Sequence, residues 1–172
     1  MQIWVHKHSL TIIAFRSVNA RGTPEYNPGL QRHHLLPRQL LSQRCFGRMF
    51  AEVGRVNVGF DDFRLNGLLL PATEAASVRS GMPLHRGPHP RYNEVVIARV
   101  GRIVARWADV RLHDNEAALV EALMRLHLLQ AALRCQLLAE RRRVVLSRKD
   151  PIGTGFDFSE LDAMAEALWA AE

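Results

Sequence analysis

Four of the eight histidines fall in two tight groups, His33-His34 followed by Pro37, and His85-Arg86-Gly87-Pro88-His89. Neighbouring side chains on a strand point to opposite faces. An extended His-His pair can therefore offer one imidazole to a metal while the other addresses a different atom. Histidines four residues apart are a common source of paired imidazole ligands. Gly87 and Pro88 stand between the second pair, which argues against presenting them on a regular helix. Between the two groups, FDDFRLNGLLLP places Asn66 and Gly67 in a tight turn before a short apolar run that ends at Pro71. An asparagine there can lock a loop by bonding the backbone through its side chain. His6, His8, His113 and His127 have no companion motif and read as structural or solvated.

The elements that must position these groups are unevenly marked. Residues 1–17, with Trp4, Val5, Leu10, Ile12, Ile13 and Phe15, are expected to hold one short strand. Residues 18–90 contain seven of the eight prolines and read as irregular, the kind of Gly- and Pro-rich stretch that usually carries function. From Pro90 the pattern turns helical. Tyr92, Val95, Val96, Val100, Ile103, Val104 and Trp107 form an apolar face, with Arg91, Arg99, Arg102 and Arg106 expected largely on the other face. His89 before Pro90 is a natural boundary, because proline suits the first helical turn. A second helix is expected from an N-cap at Asp114, with Leu119, Leu123, Leu126, Leu133 and Leu137 on its core face, running into Arg141-Arg142-Arg143. A third is expected after the Ser159/Asp162 capping pair, with Leu161, Met164, Leu168 and Trp169 as its stripe. No internal repeat is visible.

Composition narrows the class. The chain has 172 residues, 48% hydrophobic and 23% charged, enough for one domain with a real core, and collagen-like or disordered classes are excluded. Lys and Arg number 23 against 17 acidic residues, a formal +6 carried almost wholly by arginine. That surplus points to an anionic partner, nucleic acid before membrane, held by planar guanidinium contacts. Cys45 and Cys135 are too few and too far apart for a disulfide framework or a cysteine zinc site, and they fit a reducing compartment. The start lacks a secretory signal pattern, and the stretch 117–139 is broken by Glu121, Arg125, His127 and Arg134, so no membrane span is expected. These features lead to a cytoplasmic location, or delivery by a specialised secretion system.

Taken in order, R-H-H-L-L-P, L-N-G-L-L-L-P and L-H-R-G-P-H-P-R-Y-N resemble the AHH-type branch of the HNH/endonuclease-VII nucleases, over roughly residues 30–105. Arg32 stands where that branch usually has Ala. The resemblance implies an α+β protein with a ββα-metal (His-Me finger) core, irregular loops and additional C-terminal helices. The core is expected over 1–112 and a helical extension packed on it over 113–172. Members include toxin domains of bacterial polymorphic toxins, so a cognate immunity or inhibitor protein is an implied partner beside DNA or RNA.

The resemblance also assigns roles. His33, His85 and His89 are implied as metal ligands, His34 as general base, and Asn66 as the residue that fixes the loop and orients that base. Tyr92 and Asn93 are implied either to contact the scissile phosphate or to brace His89, while Arg32, Arg86 and Arg91 would hold flanking phosphates. One divalent cation is expected, Mg or Mn in catalysis, with Zn or Ni compatible with an imidazole shell. The resulting expectation is a metal-dependent endonuclease acting on DNA with little sequence preference. Two other classes compete. One is a non-catalytic nucleic-acid-binding protein with a structural metal. The other is a degenerate core whose C-terminal helices dock a partner or a second copy.

Overall fold

A computed structural model describes residues 11–139 and 144–151, together with Ala163. His6, His8, most of the N-terminal segment, Arg141 to Arg143 and the third expected helix lie outside the described residues.

Two strands, β1 (Leu30–His34) and β2 (Gly67–Pro71), form an antiparallel pair with His33 opposite Leu68 and His34 opposite Gly67. The segment between them holds three helices, α1 (Arg44–Val53), α2 (Arg55–Val58) and α3 (Phe63–Asn66). A short α4 (Glu74–Ser80) follows β2, and the long helices α5 (Pro90–Val110) and α6 (Asn115–Leu138) complete the described chain. The protein is thus α+β, with a small two-stranded sheet and helices around it. Among the described residues, no helix is long and apolar enough to cross a membrane.

The long helices begin where local chemistry says they should. Pro90 is the first residue of α5 and His89 its N-cap, so the missing proline N–H costs nothing there. Asp114 caps α6 by accepting from Ala117 N at 2.9 Å. Val96, Val100, Ile103 and Trp107 of α5 meet Leu126, Leu133 and Leu137 of α6 and Phe46, Met49 and Phe50 of α1 in one core.

Four expectations change. Residues 18–90 hold short helices as well as loops. Phe46, Met49, Phe50 and Val53 of α1 are buried at helical spacing, a pattern cut short by Gly54 with φ +85°. The N-terminal strand is not formed over 11–17. Ala14 makes a single bridge to Asp62, and Phe15–Ser17 curl into a 3-10 turn closed by Ser17 onto Ala14 O. Arg99 is 4% exposed, not on the wet face. Three residues after Val96 and four before Ile103, it shares their stripe, and it donates to Val95 O. Asn66 ends α3 and is not part of a tight turn, and Gly67 opens β2.

Gly67 has a steric reason to be glycine, since a Cβ there would run into the Phe63 ring, including Cγ at 2.5 Å and Cε2 at 2.6 Å. Gly67→Ala should lower stability by about 1–3 kcal/mol. Gly47→Ala in α1, where a Cβ meets nothing within 4 Å, should be neutral or raise it by up to ~1 kcal/mol. Urea denaturation of both variants checks this, and equal stabilities would contradict the packing at the start of β2.

Candidate metal centre

Alternation along β1 sorts its side chains into two environments. Gln31 and His33 face one way. His33 is 1% exposed, and its ring centroid lies 4.8 Å from that of His85 and 5.1 Å from that of His89. The His85 and His89 rings are 4.9 Å apart, which closes a nearly equilateral triangle. Each of the three residues offers a ring nitrogen within 4.8 Å of the others.

Each histidine is held by a different device. His33 sits in the ladder opposite Leu68. His85 is tied to the end of β2, its backbone N donating to Pro71 O at 2.7 Å, and its Nδ1 donates to Gln31 Oε1 at 3.2 Å. His89 caps α5, and its Nδ1 donates to Gly87 O at 3.2 Å. The chain turns between them at Gly87, φ +80°, so the pair is not helical, as the intervening Gly-Pro required. With both Nδ1 atoms donating, the Nε2 atoms of His85 and His89 carry the free lone pairs.

The donor set fits a cation. Both ring nitrogens of His33 are buried without a hydrogen-bond partner among the described residues, an arrangement that costs about 1–3 kcal/mol if nothing fills it. Burial holds the His33 pKa well below the usual histidine range, and His85, His89 and His34 add to the effect. His85 is pushed down to about 4 by burial and by His89 and His34, and His89 is lowered by burial. Neutral imidazoles are the form that binds metal.

Arg32 and His34 face the other way. His34 stacks on Phe15 with ring centroids 3.8 Å apart and planes 2° from parallel. Its ring has no hydrogen-bond partner among the described residues. Burial lowers its pKa to about 4, with Arg38 and Arg32 adding and Asp61 opposing, so its imidazole is neutral near pH 7. Arg32 donates to Phe15 O at 2.8 Å and Val18 O at 3.2 Å. It thereby fastens the segment that carries Phe15, while the residue itself stays exposed.

Asn66 is fully buried. It accepts from Leu36 N at 2.7 Å and donates to Leu36 O and Phe60 O at 3.1 and 3.2 Å. Gln130 of α6 donates to its Oδ1 at 3.3 Å. These bonds hold the residues just after His34 and do not touch the His34 ring. Tyr92 is also fully buried and donates to Leu35 O at 2.8 Å. Its ring lies 4.9 Å from His33 and 5.9 Å from His89. Of the two roles open to Tyr92, bracing the histidines fits this burial and contacting phosphate does not. Asn93 is partly buried and donates to Gln39 Oε1 at 3.3 Å. Arg86 and Arg91 are exposed and line a groove of about 1020 Å³ that also includes His89, while His34 lies outside that lining. Sequence reasoning missed Gln31 and Phe15. The strand period could have placed Gln31 on the His33 face, but nothing local could pair it with a residue 54 positions away.

A two-stranded antiparallel sheet leading to a helix, with histidines gathered where strand and helix meet, is consistent with a ββα-type nuclease fold. The chain belongs to the AHH family, a nuclease family of the HNH/ENDO VII superfamily with conserved AHH, which matches residues 14–129. Among curated proteins and solved structures, none matches.

Gln31→Ala should weaken divalent-metal binding ~10–100-fold by releasing the His85 ring. His33→Ala should abolish tight binding, and His113→Ala should leave it unchanged. Calorimetric titration with zinc separates these outcomes, and a Gln31→Ala affinity equal to that of the native protein would contradict the role of its bond to His85.

Proposed function

We propose that this nuclease is a metal-dependent endonuclease that hydrolyses DNA phosphodiester bonds with little sequence preference. His33, His85 and His89 hold the cation, and His34 acts as the general base. The observation that carries this reading is His33, buried in the triangle with neither ring nitrogen paired. A divalent cation held there, Mg or Mn in catalysis, would supply charge stabilisation at the phosphate and at the leaving oxygen.

The remaining work belongs to the chain. Neutral His34, adjacent to a ligand but turned away from the triangle, takes the proton of the attacking water. Phe15 against one face of that ring limits its rotation, so the base keeps its direction. Asn66 and Tyr92 fix Leu35 and Leu36, and through them the end of β1. Arg86 and Arg91, in the groove beside His89, attract the flanking backbone, which makes affinity depend on phosphates more than on bases.

Plasmid nicking is the direct test. Activity should require Mg or Mn and disappear with chelator. His34→Ala should slow it ~10²–10⁴-fold while metal affinity stays near native. Equal loss of metal affinity in His34→Ala and His33→Ala would show the two roles to be exchanged. Absence of nicking under every metal would favour a structural metal site.

A further inference from the structure

Residues 144–151 lie beyond the family match at 14–129, yet Val145 to Lys149 among them build one wall of the groove beside His89. The wall is anchored from below. Val144 and Leu146 belong to the core, 0% and 5% exposed, and Ser147 is 6% exposed. Ser147 closes a turn, its carbonyl accepting from Asp150 N at 3.0 Å and its hydroxyl accepting from Lys149 N at 3.3 Å. Asp150 Oδ2 accepts from Leu84 N at 2.9 Å, which fastens the turn to the residue preceding His85.

This turn holds Arg148 and Lys149 exposed on the groove, whose other lining includes Arg86, His89 and Arg91 against the single carboxylate of Glu94. Neither Arg148 nor Lys149 has a carboxylate partner among the described residues. Cations fixed on an anchored turn, without an ion-pair partner among the described residues, mark a site for a multiply charged anion. At about 1020 Å³ the groove reaches the upper end of the ~300–1,000 Å³ typical of small-molecule pockets, which suits a polymer backbone better than one small anion.

We propose that Arg148 and Lys149 form a phosphate-binding subsite for the nucleic-acid backbone flanking the bond held at the histidine triangle. Asp150 sets the position of that subsite. The inference rests on the nuclease reading and adds substrate contacts from outside the family-matched region.

The experiment measures binding of the full chain carrying His34→Ala, with metal present, to two unrelated DNA duplexes over a salt series. Adding Arg148→Ala and Lys149→Ala should weaken both complexes alike. The log–log salt slope should become shallower by about two units, close to 0.9 per phosphate contact. A control with Arg44→Ala and Arg79→Ala removes the same charge outside the groove lining and should change the slope by less than half as much. Asp150→Ala discriminates further. It removes a negative charge, so affinity rises if net charge alone matters and falls if Asp150 positions the wall. Equal effects of the two double substitutions, an unchanged slope, or tighter binding by Asp150→Ala would overturn the proposal. Plasmid nicking by the chain with His34 intact is scored in parallel. Nicking with an unchanged slope removes only the subsite, whereas loss of nicking under every metal removes the nuclease reading.

Discussion

Burying an imidazole with both nitrogens unpaired is costly, and the architecture of this protein is arranged around one such group. His33 lies in the middle of the strand pairing, 1% exposed. Three separate parts of the chain close over it. The residue after the β2 connection brings His85, the first turn of α5 brings His89 and Tyr92, and the ladder itself supplies the floor. His85, His89 and Tyr92 are all distant from His33 in sequence, so the triangle exists only when the whole ββα unit is assembled. A cation bound by the three imidazoles would bind the folded state alone and stabilise it by mass action.

A second set of bonds carries the precision of the site outward. Asn66 clamps Leu36 from the end of α3, and Gln130 on α6 reaches both Asn66 and Val58 O, the latter at 3.1 Å. His127 and Arg134, on the same side of α6, bond Asn57 O and Arg64 O at 2.9 and 2.6 Å. Helix α6 therefore pins the 57–66 segment at three points along about two turns. It acts as more than an apolar prop, since these polar contacts register the loop against the strand that ends in His34. Removing the helix would take the Gln130 donor from the buried Val58 carbonyl, a loss costing about 1–3 kcal/mol, and would free the half-buried Arg64 carbonyl.

Much of this was legible where the cause is local. The His-His pair on a strand implied opposite faces, and His33 and Arg32/His34 do lie on different sides of β1. Pro90 and Asp114 marked helix starts through the chemistry of single residues. The rest depends on contacts between distant positions. The Gln31–His85 bond, the Phe15–His34 stack and the anchoring of Asp150 to Leu84 span 19 to 66 residues. No periodicity encodes them. Arg99 lies on the buried stripe because its position in the helical period outweighs its charge, which its bond to Val95 O helps to accommodate.

The central claim is that His33, His85 and His89 share one cation. Anomalous diffraction from a crystal soaked in a divalent transition metal tests it most directly. The account requires a single strong peak inside the triangle, about 2.1 Å from one ring nitrogen of each histidine, with Nδ1 of His85 still bonded to Gln31. A peak that omits His33, or an ordered triangle that stays empty while metal binds elsewhere on the protein, would contradict it.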